Sequence, residues 1–497
     1  MKLLTTFGFC AATLCFLVNG VTAVASPHPT SAQPEVVQVA VAKDAYNRGT
    51  ALLEKRQFEK AIVEFDAAIE ADPNYFAAYI NRGCSRKELR KYDDAIADFN
   101  KAEEINPDHP FPNFNRGLVY FFQEKHDEAE AEFDLALAKD DRHVSAICCR
   151  ADCWRVKGKL DEADKEFQRA NKIDPKSPLP YQGRGNVFLD RKDFQRALPE
   201  FEKAVKLAPD NEAFLGGRGA AYLGMQDYTK ALADLDKALK LNPDYFEALG
   251  SRGACLMHLH EYAKADKDFG RALEIKPNAP GALRNRGINF DCWGKFKESL
   301  ADYDKLMEFN GSAAIQVERG QVRMKFGDNQ GALADFDACI EADPKEPMYA
   351  YMRAQALKLS GKLDDAIEAY SGVLKANPSL WGALTARADA YVRNKNFAEA
   401  RKDIATATSI LNQVQKQNPT LVAKLNYDWT CLWSVSSTSH DGQNDAKTAR
   451  ASDVKKALEC LKKTIEGKGA HEAHIRWDPE IQPLRNEAGY KSLVKSK

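Results

Sequence analysis

Arginine recurs through this chain at Arg48, Arg82, Arg116, Arg150, Arg184, Arg218, Arg252, Arg286, Arg319, Arg353 and Arg387, and in all but one case an acid follows sixteen residues later. The acids are Glu64, Asp98, Glu132, Glu166, Glu200, Asp234, Asp268, Asp302, Asp335 and Asp403, with Ala369 the exception. Guanidinium and carboxylate groups at a fixed interval can form ion pairs inside a scaffold or contacts to a charged ligand. Their regularity favours the scaffold: a ladder of partly buried pairs that sets register. Two further groups raise the question of a metal. His471-Glu472-Ala473-His474 spaces its histidines three apart, whereas a zinc-protease helix needs four. Cys148, Cys149 and Cys153 lack a nearby second ligand pair. No phosphate loop, nucleophile elbow or kinase signature is found. The expectation is a protein that is not an enzyme, with no cofactor, no metal and no small-molecule substrate.

The elements that carry these columns follow from their period. The arginines step by 34 residues everywhere except Arg286 to Arg319, where the step is 33. A period of that length over most of a chain belongs to stacked helical hairpins. Near the middle of each unit stands a small residue: Ala61, Ala95, Ala129, Ala163, Ala197, Ala231, Ala265, Ser299, Ala332, Ala366 and Ala400. It marks where two antiparallel helices cross closely. Four residues on comes a large one, as at Phe65, Phe99, Phe133, Phe167, Phe201, Leu235, Phe269, Tyr303, Phe336, Tyr370 and Ile404, which is helix spacing on a buried face. Proline then closes most units, at Pro73, Pro107, Pro175, Pro209, Pro243, Pro277, Pro344 and Pro378. Asp141, Gly311 and Asn412 depart from this pattern, as does Pro199 inside a second helix. The short step coincides with Asn310-Gly311, where a register change or bend is expected.

With Gly49, Gly83, Gly117, Ala151, Gly185, Gly219, Gly253, Gly287, Gly320, Ala354 and Ala388 in the first helices, these columns resemble the tetratricopeptide repeat family over residues 42 to 414. The resemblance implies an all-α solenoid, a right-handed superhelix of about eleven helix-turn-helix repeats, and says little of the partner. At about 10 Å per unit the array would run for roughly 110 Å. Residues 415 to 497 lose the period but keep a degenerate hairpin (Tyr427, Cys431 and Ser434, then Ala457, Leu461 and Ile465). They end in a segment around Trp477 that resembles the closing cap of bacterial arrays and would cover the last apolar face.

Residues 1 to 25 have the pattern of an export signal: Lys2, an apolar run from Leu3 to Val18, and the small-residue site Ala23-Val24-Ala25. The expected location is therefore periplasmic or secreted. The alternative is anchorage in a membrane by residues 3 to 25. Residues 26 to 41, with Pro27, Pro29 and Pro34, read as a linker. The 71 basic and 72 acidic residues nearly cancel and the isoelectric point is near 6.8, so nucleic acid is not an expected partner. Of the cysteines beyond the signal, Cys431 and Cys460 are the one pair considered for a bridge; the others read as small buried hydrophobes.

In superhelical members of the resembled family an asparagine before the arginine faces the groove, where its amide can pair with an extended backbone. In this chain that asparagine is present in four units, at Asn47, Asn81, Asn115 and Asn285. The same geometry places Ala77, Ile80, Cys84, Phe111, Phe114, Leu118 and Phe121 in or beside the groove. Asn47, Asn81, Asn115, Asn285, Ile80, Phe111, Phe114 and Leu118 are the candidate peptide-binding residues. The rival reading makes Asn-Arg-Gly a common local form of the repeat and covers the apolar residues with neighbouring helices or the linker. A carboxylate clamp is disfavoured, because Tyr46 and Thr50, Ile80 and Cys84, and Phe114 and Leu118 stand where lysine and asparagine are needed. The expected function is a scaffold that binds protein or peptide partners in its groove; the alternative is a structural component of an envelope assembly that self-associates into homo-oligomers.

Overall fold

A computed structural model describes residues 32 to 309 and 311 to 414, together with Lys455 and Ala457. Among these residues there are 22 α-helices and no strand. Of the described residues, those up to Asn285 form one compact unit and those from Arg286 onward a second. The first unit contains the hairpins α1 (Ala32–Glu54) and α2 (Phe58–Ala71), α3 (Phe76–Glu88) and α4 (Tyr92–Ile105), α5 (Phe111–Phe122) and α6 (His126–Lys139), and α7 (Val144–Val156) and α8 (Leu160–Ile173). It continues with α9 (Leu179–Asp190) and α10 (Phe194–Leu207), α11 (Glu212–Gly224) and α12 (Tyr228–Leu241), and α13 (Phe246–His258) and α14 (Tyr262–Ile275). Then come α15 (Pro280–Trp293) and α16 (Phe296–Phe309), α17 (Ala313–Phe326) and α18 (Asn329–Ala342), α19 (Pro347–Leu359) and α20 (Leu363–Ala376), and α21 (Trp381–Arg393) and α22 (Phe397–Val414).

The crossing point of each hairpin is where the sequence columns meet. Ala61, Ala95, Ala129 and Ala163 are fully buried, and so are the rings of Phe65, Phe99, Phe133 and Phe167 one turn later. Each such ring contributes about 2 kcal/mol by leaving water. The ring lies against the glycine beside the arginine: a Cβ added at Gly83 would come within 2.5 Å of Phe99, so the helices could not approach this closely with a larger residue there. The residue before each proline is held extended, as the pyrrolidine ring requires; Asp72 has φ −138° and ψ 97°. Its side chain accepts a hydrogen bond from the Asn74 amide at 3.0 Å. Asp140 keeps the same conformation without a following proline, and accepts from the Arg142 amide at 3.0 Å. The turn survives the departure at Asp141 because the aspartate before it supplies the same hydrogen bond.

Between the two helices of every hairpin one residue adopts positive φ: Arg56, Arg90, Glu124, Gly158, Lys192, Gln226, His260, Gly294, Gly327, Gly361 and Lys395. Seven of these are not glycine. The short arginine step is absorbed in a connection. From Phe309 to Ala313 three residues intervene where four separate Leu241 from Phe246. Asn310, where the bend is expected, lies outside the described residues.

The expected linker is corrected in its second half. Helix α1 begins at Ala32, so the chain is helical well before residue 42. Pro34 sits in the first turn, where no amide partner is needed, and no breaker follows it. The export signal, the cap, Cys431, Cys460, His471 and His474 lie outside the described residues. Among those described, seven cysteines are free thiols and all but Cys292 are buried. No described helix is long and apolar enough to cross a membrane, and no described cluster of His, Cys, Asp and Glu could hold a metal ion.

Candidate peptide-binding face

The ladder forms as its spacing requires. Arg82 meets Asp98 at 2.6 Å, Arg218 meets Asp234 at 2.7 Å, Arg252 meets Asp268 at 2.7 Å, and in the second unit Arg286 meets Asp302 at 2.6 Å and Arg387 meets Asp403 at 2.7 Å. Several arginines also reach back to the preceding hairpin: Arg82 to Asp66 at 2.6 Å, Arg116 to Asn100 at 3.0 Å, Arg252 to Asp236 at 2.8 Å. A single guanidinium therefore ties its own second helix to the previous one, which uses the fork geometry that lysine lacks. Arg353, whose forward partner is missing at Ala369, pairs backward with Asp337 at 2.5 Å. Arg319 reaches back fifteen residues to Asp304, not sixteen, across the short step, and still pairs forward with Asp335 at 2.5 Å. The hydrogen bond to Asp234 holds Arg218 above its ordinary pKa, as expected of a cation that stays paired.

First helices also touch the first helices of neighbouring hairpins: α1 with α3, α3 with α5, α5 with α7, α7 with α9, α9 with α11, and α11 with α13. No pair of second helices makes a comparable contact among the described residues. The first helices thus form the inner side of the stack in this unit, and their approach is closest from α7 to α13. Small residues permit it. A Cβ at Gly216 on α11 would lie 2.7 Å from the Tyr245 ring that precedes α13, while Gly183 and Gly217 let their helices close on the second helix before them, with a Cβ 2.1 Å from Phe167 and 2.2 Å from Phe201. Ala213, Gly216, Ala220 and Ala254 are buried in the same stretch.

This packing corrects most of the expected groove. Ile80 and Leu118 are 1% exposed and Phe114 is 3% exposed, because they fill the seam between adjacent first helices and do not line an open channel. Asn81 is buried and donates to the Tyr46 hydroxyl at 3.1 Å. Asn115 is buried, donates to the Phe111 carbonyl at 2.9 Å and accepts from the Cys84 thiol at 3.4 Å. Those amides are engaged within the stack, so a continuous amide ladder for a bound backbone is not formed. Asn47 is exposed on α1, and Asn285 is half-buried at the end of the first unit.

What stays accessible lies at the two ends of the first helices. At their N-terminal ends, Phe111 is half-buried between two imidazoles, with ring centres 4.7 Å from His109 and 5.6 Å from His143. Phe76 packs on His109 at 4.8 Å and Phe114 on His143 at 4.9 Å, which makes a row across three hairpins. Burial lowers the pKa of both histidines, so the row is uncharged at neutral pH. At the C-terminal ends, one position per hairpin is occupied in turn by Glu88, Phe122, Val156 and Asp190. Phe122 is half-buried and Val156 is 44% exposed. Each flanking acid is held by a buried cation: Lys87 approaches Glu88 at 3.2 Å and covers the Phe122 ring, and Arg155 meets Asp190 at 2.7 Å. Arg155 also pairs with Asp152 at 3.1 Å. Asp152 is buried, and desolvation raises its pKa to about 6 against the pull of Arg155. An apolar step between two anchored carboxylates is an arrangement suited to an apolar side chain with basic neighbours.

The expected residues missed this second row, since a residue's type does not reveal whether the next first helix will cover it. One signal was available: Glu88, Phe122, Val156 and Asp190 change chemistry from hairpin to hairpin while the ladder does not.

Models described as tetratricopeptide repeat match residues 45–75, 76–109, 114–178, 183–224, 213–245, 317–380 and 351–409, together more than half of the chain. A TPR repeat-containing thioredoxin TTL4 from Arabidopsis thaliana is 30% identical over 98 residues, which are 20% of this chain and 14% of that protein. The match thus spans about one seventh of that relative's length. Among solved structures, a tetratricopeptide repeat protein from Parabacteroides merdae is 18% identical, with 50% of this chain and 98% of that one covered and a TM-score of 0.37. Pseudomonas aeruginosa pilF is 19% identical, with 43% of this chain and 98% of that one covered and a TM-score of 0.38. Human IFIT1, as a dimer with m7Gppp-AAAA, is 14% identical, with 76% of this chain and 94% of that one covered and a TM-score of 0.47.

Proposed function

The chain belongs to the tetratricopeptide repeat family, and from that premise we propose that it is a non-enzymatic scaffold that holds peptide segments of partner proteins against the inner ends of its first helices. Repeats of this family in general mediate protein–protein interaction and peptide binding, and the family is in general without catalytic activity. The observation that carries the reading is the half-open row of Phe122 and Val156 between Glu88 and Asp190. The outer two steps of that row are acidic and the inner two apolar, and selectivity needs such differences between repeats. The aromatic and imidazole row at Phe111 lies at the opposite ends of the same helices and would receive a second apolar side chain of the same segment.

The scaffold acts outside the cytoplasm in this reading, which rests on the residue pattern of the first 25 positions. Affinity capture from the cell envelope with the full chain, compared with Val156→Glu, tests the binding surface. Val156 is exposed, so the substitution leaves the core intact. A partner recovered by the unsubstituted chain and lost with Val156→Glu supports the proposal. Equal recovery by both removes this row from the binding surface, and recovery of the chain itself would move the reading to self-association.

A further inference from the structure

On the side of α8 away from its ring column, one loop and one helix enclose an open cavity of about 500 Å³ lined by Arg142, Lys165, Gln168, Arg169 and Lys172, with Asp141 the single acid. Repeat five carries cations at the same two positions, Lys176 and Lys203, whereas the next two repeats pair an acid with a cation there. In repeat six the equivalent helix cation, Lys237, meets the loop acid Asp210 at 2.9 Å; in repeat seven Arg271 meets Asp244 at 2.6 Å. In repeat four the loop acid is replaced by Arg142, so the helix cation Arg169 faces a second cation. Arg169 turns aside to Glu166 at 2.9 Å and to the Asp141 carbonyl at 2.7 Å. Gln168 also stands where Asp66, Asp134, Glu202 and Asp236 place an acid in other repeats. Among the described residues, Arg142, Lys165 and Lys172 make no ion pair. The backbone places all three around one concavity: the Arg142 amide donates to Asp140, and both lysines stand on α8.

We propose that this cavity is an anion site that docks a short acidic segment of a partner protein, apart from the inner face and independent of its reading. Three uncompensated positive charges in one concavity repel each other, and carboxylates entering it would relieve that repulsion while forming charge-assisted hydrogen bonds with Arg142. A peptide fits better than nucleic acid because acids interrupt the cations. Asp161 and Glu162 precede them on α8, and where Lys176 and Lys203 carry positive charge into repeat five they stand beside Asp174 and Glu202, so no unbroken basic track is offered to a phosphate backbone.

The test uses the full chain and a fluorescent hexaglutamate peptide in an anisotropy titration at low and physiological salt. The variant is Arg142→Asp with Lys172→Glu, which installs the residues found at these positions as Asp108, Asp210 and Asp244, and as Glu70, Glu104 and Glu274. Its fold is therefore already compatible with the repeat, and a helical circular-dichroism melt within a few degrees of the unsubstituted chain checks this. Binding that weakens by about tenfold or more in the variant, and weakens with salt, supports the site. Equal affinity in both proteins, or no binding by the unsubstituted chain, overturns it. Tighter binding of a single-stranded RNA oligomer, or displacement of the peptide by micromolar inorganic phosphate, would overturn the assignment to an acidic peptide.

Discussion

From Arg82 to Arg252 the ladder repeats at each step, yet the first helices around it differ. Repeats two and three turn Ile80, Phe114, Leu118 and Phe121 inward, whereas repeats six and seven turn Gly216, Ala220 and Ala254 inward. The first stretch keeps neighbouring first helices apart and leaves a half-open edge with Phe122 and Val156; the second lets them close on one another. Stability and recognition are thus carried by different residues of the same helix. The arginine and the residues that pack beside it hold each hairpin, and the inward residue decides whether the seam between hairpins is a surface or a seal.

The ladder should carry stability equally in both stretches. Asp98→Ala and Asp234→Ala, one from each, should each lower unfolding free energy by about 3 kcal/mol in chemical denaturation, since each removes the inner carboxylate from a partly buried guanidinium and leaves Arg82 only the exposed Asp66. Glu64→Ala, whose partner Arg48 is 58% exposed, should cost less than about 1 kcal/mol. A ladder that matters in only one stretch would end the claim that it is common to both.

Where the stretches differ, Gly216→Leu should cost about 3 kcal/mol because its Cβ would already lie 2.7 Å from the Tyr245 ring of the next hairpin, whereas Val156→Leu on the open edge should change stability by less than about 0.5 kcal/mol. Comparable costs at the two positions would mean that the edge is closed.

Asp152 sharpens the contrast through pH. Its carboxyl has a pKa of about 6 in the folded chain and near 4 when unfolded, so the folded state holds the proton more tightly. Stability should fall as pH rises from about 4 to about 6, by up to about 3 kcal/mol, and stay level above that as far as this group is concerned. Asp152→Asn should flatten that fall in denaturation curves taken across the range. The smallest effect expected is at the hairpin turn of repeat three, where Glu124 has φ 61°: Glu124→Gly should stabilise by about 0.5 kcal/mol, read as a small rise in the denaturation midpoint.

The arginine ladder was legible in the sequence because its interval joins two helices of one hairpin, and local spacing fixes such a pair. Its backward partners were harder to see. Asp66, Asp134, Asp236 and Asp337 form a column, but Asn100, Gln168 and Gly270 interrupt it. The positive-φ turn was hidden because Arg90, Glu124 and Lys192 occupy it as well as glycines. Asn81, Phe114 and Leu118 were misplaced for a different reason. Whether an inward residue is covered depends on the side chain 34 positions away on the next first helix, and a single helix's pattern does not contain that information.

The central claim, that recognition sits on the open edge of repeats two to five and not on the sealed inner face of repeats six and seven, is tested most directly by a photoreactive side chain placed at position 156 or, in the sealed stretch, at position 220 in place of the buried Ala220. Both versions of the full chain would be irradiated in cells and their adducts compared by mass on a denaturing gel. A discrete partner adduct is expected from position 156 and none from position 220; the same adduct from 220, with 156 silent, would contradict the claim.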